Sequence, residues 1–184
     1  MILVVGSTGF LGKRVCRLLD RKKISYIKTS KSLGLDLTEK KDTDDYFNST
    51  KPKYVLNCAA FVGGIQFGLK HSAEIFSNNM AINLNLLDAS AKSGVKRLIN
   101  PISNCAYPGS ASLFKEDEFW NGRMHETVEV YGLTRKAMCL GSEAYHKQYG
   151  LDTINIILSN MYGPEDHFDE ERSHALGALI MKIV

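Results

Sequence analysis

The chain has 184 residues, of which 44% are hydrophobic and 23% are charged, with a formal net charge of +3. This composition excludes a disordered chain, a collagen-like chain and a disulfide-dense miniprotein, and no apolar run approaches the roughly 20 residues that a membrane helix needs. The balance of 23 Lys and Arg against 20 Asp and Glu is too even to indicate nucleic-acid binding, although it permits an anionic small ligand.

Short apolar segments alternate with helix-like segments along the chain. The apolar segments predict five strands, over 1–5, 24–29, 53–60, 95–102 and 152–158. Helical spacing predicts four helices, over 10–20, 40–49, 71–93 and 127–149. Because strands and helices alternate, the expected fold is α/β, a Rossmann-type doubly wound parallel sheet covered on both faces.

The last two predicted helices are long and amphipathic. Their apolar stripes consist of Ala73, Phe76, Met80, Leu84, Leu87 and Ala91 in one helix, and of Val130, Leu133, Ala137, Leu140 and Ala144 in the other. After Leu158 the chain becomes polar and rich in turn residues. We therefore expect one domain over 1–160 and only the beginning of a second unit over 161–184.

The four cysteines include no Cys-x-x-Cys pair, so no metal site is expected. The first residues, MILVVGSTG, lead directly into a strand and lack the charged start and long apolar stretch of a signal peptide. These observations predict a cytoplasmic protein with free thiols.

A glycine-rich loop follows the first predicted strand. Gly6 allows the sharp turn out of the strand, Gly9 lets a pyrophosphate approach the backbone, and Gly12 lets the helix pack closely on the strand. The position between a strand and a helix is the context that this motif requires for dinucleotide binding. The alternative is a flexible turn without a ligand. The candidate phosphate-binding residues are Gly6, Ser7, Thr8, Gly9, Phe10, Leu11 and Gly12.

The choice between the two nicotinamide cofactors depends on the end of the second strand. That strand carries Lys28 and Lys31 and no carboxylate, and a cation there suits the extra phosphate of NADP(H) better than the ribose hydroxyls of NAD(H). The two lysines could also be merely solvated. Asp36 and Leu37 could contact the adenine edge, or Asp36 could simply cap the following helix.

A second candidate cluster follows the strand over 95–102. Ligands of doubly wound sheets bind beyond the carboxyl ends of the strands, so Ser103 and Cys105 are expected near a bound nicotinamide. Tyr131 and Arg135 are four residues apart and share one face of the next helix. The cation favours the charged form of the phenol, which can then exchange a proton with a substrate alcohol or ketone.

The sequence resembles the extended short-chain dehydrogenase/reductase family, the NAD-dependent epimerases and dehydratases. The resemblance extends over nearly all 184 residues. Its carriers are GSTGFLG, NCAAFVGGI, SNCAYP, WNGRMHETVEVYGLTRKAM, AYHKQYG, and SNMYGPEDHF followed by His174. The glycine loop and a Tyr-x-x-x-cation pair are widespread, whereas the Ser–Cys pair before AYP and the histidine after YGP are more specific.

The resemblance implies NADP-dependent conversion of a GDP-4-keto-6-deoxy-mannose-type substrate to GDP-L-fucose. Ser103 and Tyr131 would polarise the C4 carbonyl for reduction, and Cys105 and His174 would form the acid–base pair that epimerises C3 and C5. The resemblance also implies a homodimer formed through the two long helices. The implied cofactor contacts include Ala59, Ala60, Tyr131, Arg135, Leu158, Asn160, Met161 and His174, and the implied substrate contacts are Ser103, Asn104, Cys105, Asn160 and Lys182.

Three features depart from the family pattern. Arg135 stands where the family has lysine, and Leu158 stands where proline is usual. The resemblance also implies an NAD(P)-binding domain over 1–160 and a substrate-binding domain of which 161–184 is only the truncated beginning. This truncation predicts an exposed apolar face on the last helix, at Leu176, Leu179, Ile180 and Ile183. The alternatives are an NAD-dependent nucleotide-sugar epimerase or dehydratase, and a non-catalytic truncated dinucleotide-binding module.

Overall fold

The computed structural model describes residues 1–166, 173 and 175–183. Five parallel strands form one sheet in the order β2-β1-β3-β4-β5. The strands are β1 (Ile2–Val5), β2 (Tyr26–Thr29), β3 (Tyr54–Asn57), β4 (Arg97–Ser103) and β5 (Thr153–Leu158). The predicted Rossmann-type sheet is therefore confirmed. Since β2 and β3 lie on opposite sides of β1, the carboxyl ends of β1 and β3 border the crevice where ligands of such sheets bind.

Helices cover both faces of the sheet. They are α1 (Phe10–Arg21), α2 (Lys40–Thr50), α3 (Ile65–Lys70), α4 (Ser72–Lys92), α5 (Glu129–Tyr149) and α6 (Ala175–Ile183). On one face, buried Leu86 and Leu87 of α4 and Met138 of α5 form the main core with the strands. On the other face, Cys16 and Leu19 of α1 pack with Val4 of β1.

The apolar stripes of α4 and α5 do not mark the faces that contact the sheet. Leu87 is buried, but Phe76 and Leu84 on α4 are 46% and 54% exposed, and Leu133 and Leu140 on α5 are 47% and 59% exposed. Asparagines occupy much of the buried face of α4 and form hydrogen bonds there, at Asn79, Asn83 and Asn85. Many of the apolar residues at helical spacing therefore lie on the exposed surface of α4 and α5, and not on the side that packs against the sheet.

A row of amides crosses the sheet from Asn57, the last residue of β3, to Asn100 and Asn155 in the middle of β4 and β5. Asn57 donates to Asn100 at 3.3 Å, and Asn100 donates to Asn155 at 3.2 Å. Asn155 also accepts a hydrogen bond at 3.4 Å from Ser142 of α5. A one-residue slip of any of these strands would turn its amide to the other face, so the row fixes the register of β3, β4 and β5 beside the crevice.

The described part of the chain contains no helix that is long and apolar enough to cross a membrane. It also contains no group of three His, Cys, Asp or Glu residues that could hold a metal ion. The four cysteines are unpaired thiols. On α6, the side chains of Leu176, Leu179, Ile180 and Ile183 are exposed, as predicted.

Candidate functional site

The glycine loop is built on two close backbone contacts. Gly6 has φ +70°, and a Cβ atom added to it would lie 2.5 Å from the Ala59 nitrogen. A Cβ atom on Gly12 would lie 2.1 Å from the Gly6 carbonyl oxygen. Neither position has room for a side chain, so the loop can pack against the end of β3 and against α1 only with glycine at both positions.

The outer side of the same loop is open and rich in donors. A Cβ atom on Gly9 would meet only the Gly6 oxygen, at 3.4 Å. Gly9 is the N-cap residue of α1, whose first turn has no side-chain cap and no acidic residue, so the N–H groups of that turn can receive an anion. The Ser7 hydroxyl is buried and has no hydrogen-bond partner. This combination of free donors and backbone access fits the pyrophosphate of a dinucleotide.

The segment after β2 lies beside this loop. Thr8 Oγ1 and Ser32 Oγ are 3.2 Å apart, which joins the loop to the turn that contains Lys31. The Lys31 ammonium pairs with Asp36 at 2.6 Å, and hydrogen bonds from Lys31 and Thr38 lower the pKa of Asp36, although burial alone would raise it. Lys31 itself remains 79% exposed.

The other two candidates for the adenosine end are placed differently. Lys28 is exposed on β2, an edge strand of the sheet. Leu37 is buried in the core, and its carbonyl accepts a hydrogen bond at 2.9 Å from Asn85 of α4. Any contact of Leu37 with a cofactor would therefore use its backbone.

Ser103, Asn104 and Cys105 form a tight turn at the carboxyl end of β4. The Ser103 hydroxyl accepts the N–H of Cys105 at 3.2 Å and donates to the Asn104 side chain at 3.4 Å. A Cβ atom on Gly132 would lie 2.5 Å from the Cys105 carbonyl oxygen, so the first turn of α5 packs directly on this segment. The structure therefore brings Tyr131 next to Cys105.

Tyr131 and Arg135 stack on each other in the first two turns of α5. The guanidinium carbon lies 5.2 Å from the centre of the phenol ring. Burial raises the pKa of Tyr131, nearby Cys105 raises it further, and the charge of Arg135 lowers it. Because burial dominates, the phenol is protonated at neutral pH in this structure and can act as an acid.

Lys136 cannot take the place of Arg135. It is buried on another side of α5, where its ammonium donates to the Gly122 carbonyl at 3.2 Å and lies over the rings of Phe119 and Trp120. Burial lowers the pKa of Lys136. Among the residues that the structure describes, Arg135 is therefore the only cation beside Tyr131.

The remaining predicted site residues are less closely connected. Ala59 and Ala60 follow β3 next to Gly6, and Leu158 is half-buried at the end of β5. Asn160, Met161 and Lys182 are exposed, and within the described ranges no hydrogen bond joins them to Ser103, Cys105 or Tyr131. His174 lies outside the described residues.

Sequence reasoning missed two asparagines that hold this region together. Asn79 of α4 accepts the backbone N–H of Phe61 at 3.1 Å and donates to its carbonyl at 2.8 Å, which fixes the segment after β3. Asn79 and Asn83 both accept hydrogen bonds from Arg135. No signal in the sequence distinguishes these buried asparagines from the exposed polar residues of the same helix.

Comparison with known proteins finds one matching family and several relatives. A family model described as "NAD dependent epimerase/dehydratase family" matches residues 2–184. GDP-L-fucose synthase 1 of Arabidopsis thaliana is 32% identical over 182 residues, which is 98% of this chain and 56% of the relative. The chain therefore spans little more than half the length of that relative.

Two solved structures are similar over 98% of this chain. A GDP-6-OMe-4-keto-L-xylo-heptose reductase from C. jejuni has a TM-score of 0.92 and 27% identity, and the match covers 52% of its chain. A GDP-L-fucose synthetase from Naegleria fowleri bound to NADP has a TM-score of 0.88 and 26% identity, and the match covers 60% of its chain.

Two glycine substitutions should separate ligand binding from folding. Gly9→Ala should leave the melting temperature nearly unchanged, because its Cβ meets one atom at 3.4 Å, but should weaken NADPH binding at least about tenfold by blocking the approach to the backbone. Gly12→Ala should destabilise the fold itself. Thermal denaturation and NADPH fluorescence titration measure the two effects. Unchanged NADPH affinity in Gly9→Ala would exclude this loop as the binding site.

Proposed function

The chain belongs to the NAD dependent epimerase/dehydratase family, and from this membership we propose that it acts as an NADP-dependent nucleotide-sugar epimerase–reductase. Its substrate would be of the GDP-4-keto-6-deoxy-mannose type, and its product GDP-L-fucose. The observation that carries the proposal is the packing of α5 at Gly132, the residue after Tyr131, against the Ser103–Cys105 turn at the carboxyl edge of the sheet. The name of the Arabidopsis relative supports the choice of substrate.

In the reduction, Ser103 and Tyr131 would bind the C4 carbonyl oxygen of the sugar. A bound nicotinamide dinucleotide supplies the hydride. Tyr131 would give its phenolic proton to the developing alkoxide, and the raised pKa of this buried phenol is consistent with an acid that remains protonated at neutral pH. Arg135 would stabilise the phenolate that remains, since its guanidinium lies against the ring.

In the epimerisation, Cys105 and His174 would transfer protons at C3 and C5. A C–H group next to a ketone is acidic enough for a thiolate or an imidazole to remove its proton. Two other thiols of the chain suit this role poorly. Burial raises the pKa of Cys58 to about 12 and that of Cys139 to about 11, so both remain protonated thiols.

We propose further that NADP(H) is preferred over NAD(H). Lys31 and Lys28 are exposed cations near the end of β2, where the 2′-phosphate would bind. Asp36 already binds Lys31 and would keep its ammonium near the glycine loop. The Naegleria structure, bound to NADP, supports the same preference.

The substrate side of the site is proposed from the same family pattern. Asn104, Asn160 and Lys182 would contact the nucleotide sugar, and the domain boundary would lie near residue 160. The change to a polar, turn-rich sequence after Leu158 supports that boundary.

A homodimer formed through α4 and α5 is the proposed assembly. The outward faces of these helices expose Phe76, Leu84, Leu133 and Leu140. A cavity of about 440 Å³ between the helices and the segment at Arg123 is lined in part by Phe76, Val130 and Leu133. An apolar surface of this kind favours a second copy of the same surface, packed about a twofold axis.

The catalytic proposal is tested by solvent-deuterium exchange into a GDP-4-keto-6-deoxy sugar. Cys105→Ser should reduce incorporation at C3 and C5 by about a hundredfold or more, because it removes one acid–base group. Tyr131→Phe should abolish NADPH oxidation and leave the exchange in place. Cys139→Ser, a thiol with its pKa at about 11, is the matched control.

Exchange that persists in Cys105→Ser would refute the role of this thiol. If the chain binds NADPH but catalyses neither exchange nor oxidation, even when it is fused to the C-terminal part of a relative, the non-catalytic dinucleotide-binding module is the correct interpretation.

Cofactor preference should respond to Lys31. Lys31→Gln should lower the ratio of NADPH to NADH affinity by about five- to tenfold, because the 2′-phosphate loses its cation. Lys41→Gln removes the same charge from α2, where the side chain pairs with Asp45, and should leave the ratio unchanged. Fluorescence titration with both cofactors measures it. If only Lys28→Gln lowers this ratio, Lys28 is the residue that binds the 2′-phosphate.

The dimer should depend on the outward leucines. Leu84→Glu combined with Leu133→Glu should give a monomer in light scattering at micromolar concentration, because two copies would bring four carboxylates together in an apolar interface. Leu113→Glu changes a leucine that is 64% exposed outside the two helices, and should leave the mass unchanged. A monomeric wild-type chain would reject the proposal.

A further inference from the structure

Arg135 is a buried cation without a counter-charge in the described structure. It is 2% exposed, and the described residues contain no carboxylate that forms an ion pair with it. Its Nε–H group is buried and has no partner. An ion removed from water in this way is costly unless its environment is arranged to hold it.

Two neutral amides of α4 hold the guanidinium. Arg135 Nη2 donates to the side-chain oxygens of Asn79 at 3.1 Å and of Asn83 at 3.4 Å. The orientation of both amides is fixed by their other hydrogen bonds. The Asn79 nitrogen donates to the carbonyls of Phe61 and Ile75, and the Asn83 nitrogen donates to the carbonyl of Thr134. Each oxygen must therefore face the arginine.

We propose that Asn79 and Asn83 are positioning residues that hold Arg135 against Tyr131 through neutral oxygens, so that the full positive charge of the guanidinium acts on the phenol. The proposal depends on the proposed function only where it makes Tyr131 the acid of the reaction. A carboxylate in place of either amide would hold the guanidinium equally well but would cancel its charge.

Few other charged groups act on Tyr131 and Arg135. Tyr131 is affected by Arg135 from its own helix and by Cys105 from the segment after β4, and Arg135 also acts on Cys139. The acidic residues of α4 are engaged elsewhere. Glu74 lies 3.6 Å from His71, and Asp88 pairs with Lys40 and Lys92. The amide oxygens are thus the groups that α4 presents to Arg135.

Asn83→Asp is the direct test, because it keeps the shape of the side chain and adds one negative charge. Burial alone would raise the pKa of the introduced carboxyl group, whereas an unpaired guanidinium 3.4 Å away would lower it. We expect the lowered pKa. The variant should then gain stability relative to wild type as pH rises from about 3 to 6. Each unit by which the pKa of the carboxyl group is lowered should reduce the unfolding constant about tenfold, and urea denaturation measures this constant.

The second readout is the reactivity of Tyr131 itself. A reagent that nitrates only phenolates should modify Tyr131 about tenfold more slowly in Asn83→Asp than in wild type, because a neutralised Arg135 no longer favours the phenolate. Tyr162 is 71% exposed and provides the reference rate in the same sample. Peptide mass spectrometry measures both rates without substrate or cofactor.

Asn83→Leu is the matched control, since it removes the amide and adds no charge. It should show no pH-dependent gain in stability, and it should slow nitration less than Asn83→Asp does, because Asn79 still accepts a hydrogen bond from Arg135 and no carboxylate neutralises the guanidinium. The proposal is wrong if the leucine variant slows nitration as much as the aspartate variant does, or if the aspartate variant loses stability as pH rises. If Asn83→Asp does not fold, because its carboxylate faces the Thr134 carbonyl that the Asn83 amide now donates to, Asn79→Asp replaces it in both measurements with the same expected results. Absence of turnover in the wild type would refute the proposed function and leave these results unaffected.

Discussion

The buried face of α4 connects the segments after β2 and β3 to helix α5. Asn85 binds the carbonyls of Leu37 and Thr38 after β2, Asn79 binds Phe61 after β3, and Asn83 binds Thr134 of α5. Loops at the carboxyl edge of a sheet carry backbone groups that cannot all pair with neighbouring strands. The amides of a single rigid helix satisfy these groups, so the adenosine side and the Tyr131 side of the site keep a fixed relation to each other.

This arrangement explains which features could be predicted from the sequence. Five strands and the main helices follow from local apolar patterns, and the glycine loop follows from a steric requirement that leaves one residue type possible. The hydrogen bonds of Asn79 and Asn83 could not be predicted, because a buried asparagine looks the same in the sequence as an exposed one. The short helix α3 was not predicted either. The apolar stripes of α4 and α5 include exposed residues, since the inner face of α4 is partly polar and its outer face is partly apolar.

The electrostatic character of the Tyr131 region also depends on these amides. A lysine or arginine next to a buried phenol usually requires partners, and a carboxylate would be the strongest one. Such a partner would cancel the charge that the phenolate needs. Two neutral oxygens satisfy part of the guanidinium and preserve its charge, and the cost is the unpaired Nε–H group. The neighbouring amides therefore stabilise the arginine at this position.

The two sides of the site differ in how much change they can accept. The nucleotide side relies on backbone contacts so close that a single methyl group at Gly6 or Gly12 would overlap with the neighbouring chain. The Tyr131 side relies on side chains that span the space between two helices, and a longer cation fits there when amides of α4 receive it. Substitutions are thus easier to accommodate at α5 than at the glycine loop. Side chains that contact each other at α5 can change together, whereas the close backbone contacts of the glycine loop leave no room for a larger residue.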